Sequence, residues 1–86
     1  MQKYFNVMFP NMVLPETFCP FLIPAKNAKE ARDKALKYLQ QKLAELKIQY
    51  IVQGITTVLE INPESGTEHG CTLFEENETL LGYSLS

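Results

Sequence analysis

The chain has 86 residues, of which 45% are hydrophobic and 21% are charged, and its formal net charge at pH 7 is −2. This length accommodates one domain around one hydrophobic core, expected over residues 1–86, and the composition excludes the disordered class. Two cysteines are too few for a disulfide framework, no apolar run approaches the ~18 residues that span a bilayer, and no leader pattern is present, so we expect a cytoplasmic protein without a membrane segment.

Two strands are predicted before any helix. Residues 3–9 alternate, with Phe5, Val7 and Phe9 on one face, which is the period of a half-buried strand. The hydrophobic but proline-rich stretch that follows predicts a second strand at 16–23, forming a loose hairpin with the first. Pro20 confines that strand to an edge or a bulge, because proline cannot donate to a sheet ladder.

A single amphipathic helix is predicted from about Ala28 to about Leu46. Asn27 followed by Glu30 is a capping-box arrangement, although with Asn in place of Ser or Thr. Apolar residues then recur every three or four positions without an intervening Gly or Pro, as a helix with one buried face requires. This stripe consists of Ala28, Ala31, Ala35, Leu39, Leu43 and Leu46.

The second part of the chain predicts more strands. Residues 48–52 and 55–61 have strand character, and Gly54 between them marks either a tight turn or a bulge in one long strand. A last hairpin is predicted with Asn77-Glu78 as its two-residue turn. That register puts one set of side chains on a core-facing surface, namely Thr72, Phe74, Leu81, Tyr83 and Leu85.

The order β-β-α-β-β-β(-β) predicts a two-layer α+β domain. A mostly antiparallel sheet of four to six strands would carry the single helix, about 28–46, on one face. One helix cannot cover a wide sheet, so the opposite face or an edge strand must meet water or a partner.

Catalytic and metal sites are not predicted. The single histidine, His69, and nearby Cys71 could form a nucleophile pair, but no third orienting group is evident. Even with Cys19, the chain lacks the ligand set of a structural zinc site, and its glycines fit no phosphate-binding loop. We therefore expect no enzymatic activity, no metal and no cofactor.

Charge is divided sharply along the chain. Residues 1–47 contain all eight basic residues and four acidic ones, whereas residues 48–86 contain six acidic residues and no Lys or Arg. Such asymmetry bears on partners and association rates rather than on the fold.

The hypothesis that these features favour is a non-enzymatic protein-binding module acting by occupancy, as an adaptor, regulator or stoichiometric inhibitor. Apolar positions ringed by carboxylates suit a partner with a basic, partly hydrophobic surface, and small inhibitors of this kind are common among phage and mobile-element products. Self-association as a homodimer is a second form of the hypothesis. The residues predicted to form the surface are Val58, Glu60, Glu64, Glu68, Leu73, Glu75, Glu76, Glu78 and Leu80.

The alternative is a nucleic-acid-binding protein that uses the basic helix 26–47. Tyr4, Phe5 and Phe9 could supply stacking surfaces. A pI of about 5.3 and the acids interspersed along the helix oppose this alternative.

Overall fold

The structure, a computed structural model, describes residues 3–10 and 22–82. These ranges contain β1 (Lys3–Met8), β2 (Ile23–Ala25), α1 (Ala28–Glu45), β3 (Gln49–Ile61) and β4 (Glu68–Gly82). The strands form an antiparallel sheet in the order β2-β1-β3-β4, and α1 packs across one face. The predicted α+β two-layer architecture is confirmed, with a strand number inside the predicted range.

The bounds of α1 follow from its caps. The side-chain oxygen of Asn27 accepts a hydrogen bond from the Glu30 N–H at 2.8 Å, as an N-cap residue does. The Glu30 carboxylate accepts from the Lys26 N–H, also at 2.8 Å, one residue before the position that a capping box uses. The chain leaves the helix through Lys47, whose φ of 57° is left-handed. No helix in the described ranges is long and apolar enough to cross a membrane.

The core lies between α1 and the sheet in two adjoining clusters. In the first, the small side chains of Ala31 and Ala35 allow the helix to approach the sheet closely. In the second, Leu39 and Leu43 pack against Val52 and Leu81 towards the other end of the helix. The buried sheet residues of both clusters are Phe5, Val7, Ile23, Ala25, Val52, Val58 and Leu81. The predicted helical stripe is thus confirmed over four residues, whereas Leu46 lies beyond the helix and is exposed.

Gly54 lies inside one continuous strand, so the tight-turn alternative is wrong. Between the pairs Val52–Thr79 and Gly54–Glu76, one residue of β3 faces two residues of β4, which places a bulge on β4. Gly54 has φ +129°, and a Cβ there would lie 3.0 Å from the Cβ of Pro10. Position 54 therefore requires glycine, because of its positive φ beside the bulge and the close approach of Pro10.

The predicted Asn77-Glu78 turn is also wrong, because both residues lie within β4. They are the two bulge residues, and β4 pairs with β3 on both sides of them. A bulge and a two-residue turn shift the alternation of side chains in the same way, so Phe74 and Leu81 still share the core side. Most of the strand predicted over 16–23 falls outside the described residues, as do Tyr83 and Leu85. Of its described part, Ile23 is the first residue of β2, which pairs with β1.

Candidate functional site

The sheet surface opposite α1, here called the open face, is the candidate site. Strand alternation and register assign each residue to a side. On β3 the even-numbered residues, such as Val52 and Val58, are buried under α1, so the odd-numbered residues point to the open face. No described helix or strand covers this side of the sheet.

Five large apolar side chains on the open face are between 45% and 63% exposed. We call this set the apolar strip, and it consists of Met8, Ile51, Ile55, Leu73 and Leu80. Ile51 lies directly opposite Leu80, and Met8 and Leu73 flank Thr57 from the two neighbouring strands. Cross-strand neighbours have Cβ atoms about 5 Å apart, so Ile51 and Leu80 lie side by side, and Ile55 lies diagonally across from Leu73. Gln53 of β3 lies between the Ile51–Leu80 pair and the other three residues of the strip.

Two predicted surface residues, Leu73 and Leu80, belong to this strip. Val58 does not: it is only 1% exposed and packs in the core under α1, so its predicted exposure is wrong. Both faces of β3 carry apolar residues, and α1 covers the face that includes Val58. The exposed apolar side chains of this strand are instead Ile51 and Ile55, on the opposite face.

Glu76 is also removed from the predicted surface. Its side chain is 1% exposed, and both carboxylate oxygens accept hydrogen bonds from Arg32, the shortest at 2.6 Å. Partial burial disfavours the charge of Arg32, but the hydrogen bonds and the negative charge of Glu76 outweigh it and raise the pKa of Arg32 above its ordinary value. This carboxylate holds the helix on the sheet and is not available to a partner.

Glu60 likewise lies on the helix side, where Lys3 approaches it to 3.5 Å. The other four predicted carboxylates are exposed and form no ion pair with any described residue. Glu64 is in the loop after β3, and its N–H donates to the side chain of Asn62. The remaining three are in β4 on the open face, Glu75 and Glu78 by strand alternation and Glu68 by its pairing with Ile61 across a second register shift.

The open face is therefore apolar and acidic. Glu75 pairs across the strands with Ile55 and lies two residues from Leu73, in the middle of the apolar strip. Among the described strand positions of the open face there is no Lys or Arg, since Lys3 is on the helix side and the other basic residues lie between 26 and 47. The basic residues of the described strands and helix thus lie on the helix side of the sheet, whereas acidic residues lie on both sides.

Three of the seven basic residues in 26–47 bind acceptors within the described part of the molecule. Arg32 binds Glu76 and Asp33. Lys34 donates to the Pro24 carbonyl at 2.6 Å and lies 3.7 Å from Glu30. Lys42 pairs with a carboxylate three residues later in the helix. The helix surface consequently mixes both signs, which does not form a continuous cationic track for phosphates.

His69 and Cys71 are both exposed and line two different depressions of the surface. Cys71 is a free thiol, whereas Cys19 lies outside the described residues. Within residues 3–10 and 22–82, no three His, Cys, Asp or Glu side chains are grouped closely enough to hold a metal ion.

Sequence reasoning missed three members of the strip, Met8, Ile51 and Ile55. The signal that could have found Ile55 is the alternation in 55–61, which puts Ile55, Thr57, Leu59 and Ile61 on one face; alternation also puts Met8 opposite in face to Val7, and Ile51 to Val52. The face of Ile55 is more apolar than the face of Val58, yet α1 covers the face of Val58, so periodicity alone does not tell which of the two the helix covers.

Comparisons with protein-family models, with curated proteins and with solved structures gave no match to this chain.

Proposed function

We propose that this protein is a non-enzymatic binding module that acts by occupancy, with a partner protein docking on the apolar strip. The observation that carries the proposal is the strip itself: five large apolar side chains, each close to half exposed or more, lie together on one side of the sheet. Groups of exposed apolar side chains mark interaction sites on soluble proteins, because their burial releases water. We propose that the protein works in the cytoplasm as an adaptor, a regulator or a stoichiometric inhibitor.

Electrostatics supports a partner with a basic surface. Glu68, Glu75 and Glu78 carry no counter-ion among the described residues and share the face with the strip. Exposed carboxylates accelerate the encounter with a cationic surface, and burial of apolar side chains then slows dissociation. The cations on the helix side face away from this surface and would not repel such a partner at contact distance.

The test is a comparison of captured proteins between matched variants. The protein is immobilised as wild type, as the double variant Ile55→Thr with Leu73→Thr, and as Leu46→Thr, which removes an equally exposed leucine at the helix end. We expect proteins from a native host lysate that wild type and Leu46→Thr retain and the double variant loses. Identical retention by all three would overturn the proposal.

Charge reversal then tests the electrostatic part. With a captured partner, Glu75→Lys should slow association at low salt by about five-fold or more, and salt should abolish the difference. Unchanged association rates at low salt would contradict a role for the carboxylates.

The rival hypothesis, nucleic-acid binding through residues 26–47, predicts different results. DNA or RNA would bind with an affinity that falls steeply with salt and is lost when Lys34 and Lys37 are neutralised. Such binding, together with no effect of the Ile55 and Leu73 substitutions, would favour the helix side over the open face.

A further inference from the structure

We infer that the occupant of the apolar strip is an amphipathic helix of the partner, lying lengthwise over β3 and β4 with Lys or Arg along one border of its apolar stripe. This inference rests on the proposed function and adds the shape and the charge of the segment that docks.

The width of the strip fits one helix. Four of its five residues are on the adjacent strands β3 and β4, and only Met8 is on β1. Two neighbouring strands are about 5 Å apart, and a helix with its side chains is about 10 Å across, so one helix covers both. A facing sheet would also extend over the rest of β1 and β2, where the open face carries Asn6, half-buried Tyr4 and Pro24 and, apart from Met8, none of the exposed large apolar side chains.

The length of the strip fits a short helix. Along β3 it runs from Ile51 to the row of Thr57, six residues later, which is about 20 Å at the rise of a strand. At 1.5 Å per residue, a helix of about 13 residues spans this distance. The sheet already carries an 18-residue helix, α1, on its other side.

The charge of the occupant follows from the position of Glu75. Because Glu75 lies directly across from Ile55, a segment that covers Ile55 also removes water from the Glu75 carboxylate. Removing water from a carboxylate costs much free energy unless a cation replaces the water. Among the described open-face strand positions no cation is present, so the occupant has to supply one next to β4.

The same reasoning disfavours a second copy docked strip to strip. Two open faces would bring their carboxylates into one interface with no Lys or Arg from either sheet. The apolar stripe of α1, the other candidate from a second copy, is buried against its own sheet at Ala31, Ala35, Leu39 and Leu43. A different protein, with its own basic helix, meets both requirements.

The experiment uses synthetic peptides on the full chain, followed by backbone amide NMR. The probe is a peptide of about 14 residues of Leu and Lys, with leucines at helical spacing. One control has the same composition with strict alternation, which favours a strand, and another has Glu in place of Lys. We expect the helical basic peptide to bind at least about ten-fold more tightly than either control, with shifts concentrated at Ile51, Ile55 and Leu73. Equal or tighter binding of a control, or shifts located elsewhere, would overturn the inference.

Charge-matched variants sharpen the test. Glu75→Lys should weaken binding of the helical peptide by about five-fold or more. Glu45→Lys makes the same charge change at an exposed site on the helix side and should change the affinity by less than about two-fold. Equal effects of the two variants would contradict direct contact with Glu75. A dimer that Leu73→Thr dissociates, seen by sedimentation at about 100 µM protein, would also overturn the inference, in favour of a second copy.

Failure of this inference is distinguishable from failure of the proposed function. If no peptide binds the strip but a captured protein still depends on Ile55 and Leu73, the binding module stands and its helical, basic occupant is wrong. If neither peptides nor captured proteins depend on these residues, both are wrong.

Discussion

Arg32 of α1 and Glu76 of β4 join the helix to the edge strand through two guanidinium nitrogens. Arg32 Nη2 donates to both carboxylate oxygens, at 2.6 and 3.0 Å, and Nε donates to Oε1 at 3.0 Å. The Arg32 Cζ also lies 5.8 Å from the centroid of the Phe74 ring, which belongs to the same strand. Because the pair holds Glu76 on the helix side, strand alternation places its neighbour Glu75 on the open face.

Replacing Arg32 should lower the stability of the fold more than replacing a cation of an exposed ion pair. Arg32→Ala leaves the buried Glu76 carboxylate without its partner, and we expect a loss of about 3 kcal/mol in the free energy of unfolding. Lys42→Ala removes an exposed ion pair with Glu45, at 3.6 Å, and should cost less than about 1 kcal/mol. Urea unfolding of both variants at pH 7 measures the difference, and similar losses would show that the Arg32–Glu76 pair contributes no more than a surface pair.

Gly82 should not accept a side chain. Its φ is +109°, and a Cβ would lie 2.0 Å from the Ile48 carbonyl oxygen. Its N–H and C=O are also both bound by the side-chain amide of Gln40, so the backbone has little freedom to shift. We expect Gly82→Ala to cost about 3 kcal/mol or more, whereas Gly70→Ala, with open space around it, should cost less than about 1 kcal/mol. Thermal or urea unfolding distinguishes these outcomes.

Glu30 should make stability depend on pH in the acid range. The hydrogen bond from the Lys26 N–H, followed by the nearby charges of Lys34 and Lys26, lowers the pKa of Glu30 below its ordinary value of 4.5. Its ionised form therefore stabilises the fold above pH 4.5, and this contribution is lost as the pH falls through the lower folded pKa. Glu30→Gln should accordingly be less stable than wild type at pH 7. The difference in stability should shrink as the pH falls from 4.5 through the lower folded pKa of Glu30. A difference that stays constant between pH 7 and pH 3 would contradict this assignment.

The two faces of β3 should respond differently to the same change. Val58→Thr buries a hydroxyl in the core and should cost about 1 to 3 kcal/mol. Ile55→Thr, three residues earlier on the open face, should change the free energy of unfolding by less than about 0.5 kcal/mol, because its side chain is already 48% exposed. If Ile55→Thr lowered the free energy of unfolding more than Val58→Thr, the packing of α1 on the Val58 face would be contradicted.

An apolar substitution at Thr56 should increase the stability of the fold. It is fully buried, and its hydroxyl has no hydrogen-bond partner in the described part of the chain. Thr56→Val keeps the shape and removes the unsatisfied group, so we expect a gain of about 1 kcal/mol in the free energy of unfolding. Thr57→Val, on the half-exposed opposite face, should give a smaller gain. A loss of stability at position 56 would contradict the burial of an unpaired hydroxyl.

Local sequence signals were sufficient for the helix and for the alternation of the strands. Asn27 and Glu30 mark the helix start, and four-residue spacing from Ala31 to Leu43 marks its buried face, because capping and helical periodicity depend on residues close in the chain. The prediction that Phe74 and Leu81 share the core side of β4 is confirmed although the Asn77-Glu78 turn is wrong, whereas Thr72, predicted with them, is exposed. Turn and bulge both shift the alternation by one residue, and a sequence pattern records only that shift.

The tertiary structure alone decided which face of the sheet became the candidate site. Val58 and Ile55 are both apolar and lie on opposite faces of one strand, and nothing local tells which of them the helix covers. Likewise Glu75 and Glu76 are adjacent and identical, yet one is exposed and the other is bound by an arginine 44 positions earlier in the chain. Contacts at such separations depend on how the layers pack, so the composition of the open face follows from the packing of α1 and not from the sequence of β3 or β4 by itself.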